Sequence, residues 1–374
     1  MVWHTLSGQG VRNLHPFHIR PAAEWNFVVG GNGAGKTAFL ECLSILSTAR
    51  SFRTDTIAKV ISFDEEVCVV RGESSLCGTF GVQRQRKGGI VVAHNGDRDT
   101  SLKYLLEAPA FKIIEPDVID SLDGGAEARR KALNWLMFHV EHSTRSVLRN
   151  YKRLLIQRNQ LLKQSPVDLS YLAAFDKLFC RVGEQYAKVI QETFELTVQS
   201  FSELIKSIAT QVNLKQFKFL DGLHFGLRPG WAQSVSFQES ISRQLDSDAE
   251  RGFTQSGPHR FDITVKIKTG EFATDVLSRG QLKLLSILWH LSTTIALTRK
   301  ERPVVLAVDD LFAEFDQQSV SLALVACQCI HAQKFMTILP NSLEMLDRPL
   351  VMKADVFHVE HGRITAVQQN KTNI

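Results

Sequence analysis

Residues Gly30-Gly31-Asn32-Gly33-Ala34-Gly35-Lys36-Thr37 read GGNGAGKT, which satisfies G-x-x-x-x-G-K-[ST] in full. The stretch before it, Trp25-Asn26-Phe27-Val28-Val29, is apolar and predicts a strand. The stretch after it, Thr37 to Leu46 (TAFLECLSIL), has a helical pattern. Strand, glycine loop and helix in that order form a phosphate cradle. Glycines let successive backbone N–H groups curl around a polyphosphate, and the helix N-terminus adds partial positive charge. In this arrangement Gly30, Asn32, Gly33, Ala34 and Gly35 line the ligand. Lys36 reaches the β/γ-phosphates, and the Thr37 hydroxyl is placed to ligate Mg²⁺.

A second stretch fits the first. Residues 304–316 read VVLAVDDLFAEFD, an apolar strand running into two adjacent acids. Neighbouring carboxylates repel, so a cation is expected between them and the phosphates. Asp309 then holds Mg²⁺, and Asp310 faces the γ-phosphate, where a carboxylate can orient or deprotonate the attacking water. Together these motifs predict an α/β nucleotide-binding core of the P-loop class.

Between them lies Leu277-Ser278-Arg279-Gly280-Gln281, opening a helix (QLKLLSILWHL). Ser278 serves equally well as a simple N-cap. Its position ahead of the DD strand also fits an ABC-type signature. In that reading Ser278, Gly280 and Gln281 of one chain meet the nucleotide of a second chain.

The middle of the chain differs in composition. From Ala126 to about Lys163 glycine and proline vanish and arginines multiply; Ser165-Pro166 then breaks the run. Leu172, Phe175, Phe179, Val182, Tyr186 and Val189 follow as an apolar seam, which predicts a short antiparallel helical hairpin with arms of ~30–50 Å. Arg145, Arg149, Lys152, Arg153 and Arg158 recur on its first helix, and Arg84, Arg86 and Lys87 form a basic turn. Either set could contact DNA phosphates without reading sequence, or could be a solvated basic face. Beyond residue 212 β-like patterns return, at Phe217–Leu220 and Ile263–Ile267, with a last strand near Lys334–Leu339. The expected organisation is an ATPase core in two parts, 1–115 and 216–374, with a helical lid over 116–215.

Composition is that of an ordinary globular protein: 374 residues, 44% apolar, 22% charged, formal charge +5. The charge is compatible with nucleic acid without requiring it. Six cysteines show no CxxC pairing, so reduced core thiols are expected rather than a zinc site. No signal peptide is read, and no apolar run reaches the ~18 residues of a membrane span. A cytoplasmic location follows as the expectation.

Several longer stretches resemble the RecF family of bacterial recombination mediators, within the ABC-type, chromosome-maintenance-like ATPases. GGNGAGKTAFLECLSILSTARSFRT (30–54) is similar to that family's P-loop, helix and R-S-x-R-T segment. EPDVIDSLDGGAEARRKALNWL (115–136), YKRLLIQRNQLLK (151–163) and SGPHRFD (256–262) resemble further family motifs. Gly10-Val11-Arg12-Asn13-Leu14 resembles F-R-N-Y, which implies that Arg12 and Asn13 lie near the nucleotide. Departures are Arg279 in place of Gln, Phe261 after GPHR, Ala313 and Phe315 where S-E-L-D is usual, and Ile338-Leu339 in a segment that is commonly Thr-rich, where Thr337 stands at the switch position. The resemblance implies an ATP-driven homodimer with Asp316 facing the partner protomer. That dimer would clamp duplex DNA near single-stranded gaps, hydrolyse ATP slowly for release, and act with RecR and RecO to help load RecA in DNA repair, replication and the SOS response.

Three other readings remain. A condensin-type clamp would need arms of hundreds of residues. A transporter-coupled ABC subunit has no use for the QRN and GPHR motifs. A weakly hydrolysing relative would act only as an ATP-switched DNA clamp.

Overall fold

The computed structural model describes residues 2–140, 142–310, 315–346, 351 and 353–367. In chain order the strands are β1 (Thr5–Gln9), β2 (Phe17–Ile19), β3 (Trp25–Val29), β4 (Val67–Ser74), β5 (Gly78–Gln85), β6 (Ile90–His94), β7 (Asp97–Asp99), β8 (Ala110–Ile114), β9 (His224–Arg228), β10 (Asp262–Lys266), β11 (Val304–Val308), β12 (Gln333–Ile338), β13 (Asp355–Glu360) and β14 (Arg363–Val367). The helices are α1 (Lys36–Thr48), α2 (Asp120–Asp123), α3 (Ala126–Val140), α4 (His142–Leu162), α5 (Leu169–Ala209), α6 (Phe237–Arg243), α7 (Leu245–Arg251), α8 (Ala273–Val276), α9 (Arg279–Thr298) and α10 (Gln317–Gln328). The chain forms two compact units, one of residues 1–116, 301–324 and 330–374, the other of 117–300 and 325–329. The stretch 216–374, read from sequence as one part of the core, is thus divided at residue 300.

The first unit contains two sheets. One is antiparallel, in the order β2-β1-β4-β5-β6-β7. The other runs β14-β13-β3-β12-β11-β8, parallel except at β14. Every residue of β3 and of β11 is buried, as continuous apolar runs require in a parallel sheet covered on both faces. Helix α1 touches strands of both sheets, so it has almost no polar face; Phe39, Leu40, Leu43 and Leu46 join Phe80, Phe111 and Phe335 in one core. The hairpin β13–β14 lies beyond the strand read as the last one, and its turn, His361-Gly362, has positive φ at both residues.

In the second unit α4 and α5 pair as the expected hairpin, but α5 runs 41 residues, about 60 Å. It is therefore longer than the ~30–50 Å arm read from the sequence. The first half of its buried stripe, at Leu172, Phe179, Tyr186, Ile190 and Phe194, fits one continuous helix face; Phe175, Val182 and Val189 are half-buried beside it. Phe217–Leu220 is not a strand. It falls in two 3₁₀ turns, opened by the Asn213 side chain accepting from Lys215 N. Among the described residues no helix is long and apolar enough to cross a membrane.

Candidate nucleotide site

The site grows from strand order. β12 lies between β3 and β11, all three parallel, so their C-terminal ends open at one edge of the sheet. In open α/β sheets ligands bind at that edge. β3 leads into the glycine loop, β11 into Asp309, and the middle strand brings Thr337 between them.

Three glycines in the loop are required by contact or torsion, one of them Gly33 with φ +73. A Cβ on Gly30 would lie 2.4 Å from the Val359 carbonyl oxygen, and Gly35, which caps α1, has φ +118. Gly31 and Gly33 would meet nothing and leave the backbone open to a ligand. Lys36 is buried, with Nζ on the Gly30 and Gly31 carbonyls at 2.9 and 3.1 Å, so its charge sits inside the curl of the loop. Asn32 is exposed on the loop and Ala34 half-buried. Exposed N–H groups around an internal ammonium fit a polyphosphate.

Thr37 Oγ1 donates to Asp309 Oδ2 at 3.0 Å, so the two residues read as Mg²⁺ ligands meet side by side. The other Asp309 oxygen accepts from Thr337 Oγ1 at 2.6 Å, and Thr337 in turn accepts the backbone N–H of Asp310 at 2.9 Å. Burial pushes the Asp309 carboxyl above its usual range, against the hydrogen bonds from the two threonines, and the neighbouring Asp310 adds to the push. A carboxylate under that strain, beside a hydroxyl and a phosphate loop, has the donor set of a Mg²⁺ site. Asp310 has φ +49, a left-handed turn that sets its direction apart from that of Asp309.

Thr337 is fully buried, its oxygen committed to the two aspartates. It acts between protein groups, and nothing in its local pattern marks that role. Glu41 was missed from the sequence. This fully buried acid in α1 makes a paired contact with Arg12, Nε to Oε2 and Nη2 to Oε1, both 2.8 Å, and also accepts from Ser51 Oγ at 2.6 Å. Those hydrogen bonds hold the Arg12 guanidinium above its ordinary value. An acid inside the apolar run FLECL needs a cationic partner, and that was the available signal. With Arg12 turned to Glu41, Asn13 is the member of the pair on the loop, its Nδ2 on the Gly33 carbonyl at 3.2 Å.

In the second unit Ser278 caps α9 in a reciprocal box: its Oγ accepts from Gln281 N at 3.3 Å and its N donates to Gln281 Oε1 at 3.0 Å. Ser278, Arg279 and Gly280 are all exposed. Asp316 is exposed too, and its Oδ1 accepts from Ser319 N at 2.8 Å at the start of α10. Phe315 is half-buried, while Ala313 lies outside the described residues.

The basic residues divide. Arg149, Lys152 and Arg153 share an exposed face of α4 with Ile156. Two arginines grouped with them from sequence turn inward, which corrects that part of the basic face: Arg145 is buried with Nε on the Phe138 carbonyl, and Arg158 is completely buried. Arg158 joins Asp176, Asp248 and Thr254 at 2.7–3.2 Å, while Asn159 Oδ1 accepts from Thr254 N and Oγ1 at 2.8 and 2.7 Å. Burial opposes the Arg158 charge, and the two carboxylates outweigh it. His259 of the GPHR segment lies with Nδ1 2.7 Å from the Tyr151 hydroxyl. The QRN and GPHR motifs thus fasten α4, α5, α7 and the 252–260 segment together. Arg86 has a comparable internal duty, donating to the carbonyls of Ala58, Ser62, Phe63 and Glu65. Lys87 beside it is exposed, and Arg84 donates Nη1 to the Ala49 carbonyl at 2.6 Å.

No family model matches the chain. Curated relatives do. A DNA replication and repair protein RecF of Pseudomonas putida (strain GB-1) is 32% identical over 373 residues, covering 96% of this chain and 97% of the relative. RecF of Pseudomonas entomophila (strain L48) is 31% identical over 378 residues, 98% of each chain. Among solved structures, the recombination mediator protein RecF with ATP superposes with TM-score 0.80 at 22% identity, over 98% of this chain and 97% of that one. An Smc head bound to a winged-helix domain of ScpA gives TM-score 0.51 at 14% identity, over 99% of both. The structural likenesses establish the fold, the α/β head with a helical insertion that RecF and Smc share. Identity sustained along almost the whole length of two relatives goes further than fold: the chain belongs to the RecF family of DNA replication and repair proteins.

Proposed function

We propose that the chain is a cytoplasmic, ATP-switched recombination mediator that binds DNA in repair and replication. The observation that carries the reading is the closed set Thr37–Asp309–Thr337–Asp310 at the mouth of the glycine loop. Backbone N–H groups of residues 31–36 and the Lys36 ammonium hold the phosphates of ATP. Mg²⁺, when bound at Thr37 and Asp309, would supply charge neutralisation between the β- and γ-phosphates. Asp310 accepts the proton of the attacking water. Its side chain is one methylene shorter than glutamate, which suits slow turnover and a switch rather than a motor.

In this reading two protomers close head to tail over ATP. Each presents Ser278, Gly280 and Gln281 to the other's nucleotide, with Asp316 at the interface, and the dimer grips duplex DNA beside single-stranded gaps. The exposure of the α9 start supports it, because the cap engages the N–H groups of Ser278 and Gln281 and not those of Arg279 and Gly280 between them. RecR and RecO would be the partners and RecA loading the outcome, as the pathway named for the solved RecF–ATP structure suggests. The Arg149–Lys152–Arg153 face of α4 is the stretch best exposed for phosphate contact. Ser278→Arg tests the arrangement. It should bind ATP with unchanged affinity and stay monomeric in sedimentation with ATP. An ATP-dependent dimer of normal strength would rule out the trans contact.

A further inference from the structure

Away from the nucleotide loop, the first unit holds a cavity of about 410 Å³ beside the 48–57 segment, lined in part by Arg84 of β5 and by Arg50. We propose that this cavity is a second anion site, one that takes a phosphate group. Arg84 separates here from Arg86 and Lys87, with which it forms a basic run in sequence. Its Nη1 is fixed on the Ala49 carbonyl and its Nε is enclosed by protein, so Nη2, which makes no hydrogen bond among the described residues, is the donor left for a ligand.

Neither Arg84 nor Arg50 forms an ion pair with a carboxylate among the described residues. Asp55 lines the cavity without reaching either guanidinium to pair, and Glu41 is already committed to Arg12 and Ser51. Burial lowers the Arg84 pKa, Cys68 opposes the shift and Arg50 adds to it, leaving the guanidinium below its ordinary value. The Thr54 hydroxyl oxygen accepts from Thr56 N, which leaves its proton to donate. Two forked guanidiniums and a hydroxyl around one space match the several oxygens of a phosphate better than the two of a carboxylate. The volume admits the phosphate and part of what carries it.

This inference stands apart from the dimer reading, and its test uses the full chain. In a Lys36→Ala background, which disables the nucleotide loop, pyrophosphate is titrated by calorimetry. Saturable binding is expected, weakened roughly tenfold by Arg84→Gln, the loss of one charge-assisted contact. Because Arg84 also holds the Ala49 carbonyl, Arg50→Ala at an exposed position provides a second variant, expected to weaken binding with the unfolding midpoint unchanged. The same substitutions in the unaltered chain separate the sources. A fall in duplex affinity, with the salt slope reduced by about one contact per arginine, assigns the phosphate to a nucleic-acid backbone. Unchanged duplex affinity with lost pyrophosphate binding assigns it to a free phosphate compound. Pyrophosphate binding that is absent, or that neither substitution weakens, overturns the site.

Discussion

The Thr337 hydroxyl donates to the Asp309 carboxylate at 2.6 Å while accepting the N–H of Asp310 at 2.9 Å. One side chain thus orients the proposed metal ligand and pins the turn that aims the proposed catalytic carboxylate. The sheet makes this possible, because β12 lies between the strand feeding the glycine loop and the strand feeding the aspartates. Thr337→Val keeps the shape and removes both hydrogen bonds. It should lower Mg²⁺ affinity and ATP turnover roughly 10- to 100-fold, as loss of an orienting partner does at other metal sites. Thr337→Ser should restore both. Magnesium titration of ATP binding reads the first effect apart from turnover, and a valine variant with normal magnesium dependence would remove Thr337 from the account.

Asp310→Asn separates binding from chemistry. The amide retains the left-handed turn, a conformation asparagine tolerates, but it is a poor proton acceptor. ATP affinity should be unchanged and turnover should fall about 10²- to 10⁴-fold in a single-turnover assay. Wild-type turnover would exclude Asp310 as the base.

Arg158→Met should destabilise the helical unit by about 3–5 kcal/mol, because Asp176 and Asp248 would remain buried without their counter-charge. Urea unfolding followed by a probe on α5 measures it. A cost below about 1 kcal/mol would mean that the cluster is not the fastener described here.

Burial lowers His259 to about 4, and Arg260, Arg130 and Arg158 add to the shift against the Thr254 backbone. The unfolded chain, with an ordinary imidazole, therefore binds more protons than the folded one between about pH 6.5 and 4. Stability from this residue is fully present above that window and is lost as pH falls through it, by about 3 kcal/mol in total. Unfolding midpoints measured from pH 7 to 4.5 should drop less steeply in His259→Gln than in wild type. Parallel curves would show that His259 does not carry the acid sensitivity.

Much of the nucleotide site was legible because its chemistry is local. A loop that wraps phosphate needs glycine at particular torsions, and a strand ending in paired acids is visible in a dozen residues. Thr337 entered only through the family resemblance and Glu41 not at all, since their partners are 28 and 29 residues away and only folding brings them together. Arg145 and Arg158 misled for the related reason that arginines on a charged helix look solvated until distant acids or carbonyls claim them. Asp248, 90 residues beyond Arg158, is such a partner. Phe217–Leu220 has apolar alternation too short to outweigh the turn set by Asn213.

Sedimentation velocity of the full chain with ATP, with ADP and without nucleotide, each with and without gapped duplex DNA, tests the ATP-switched clamp most directly. Monomers are expected with ADP or no nucleotide, dimers with ATP, and co-sedimentation of that dimer with the DNA. A monomer under all conditions, or equal DNA binding with ATP and ADP, would contradict it.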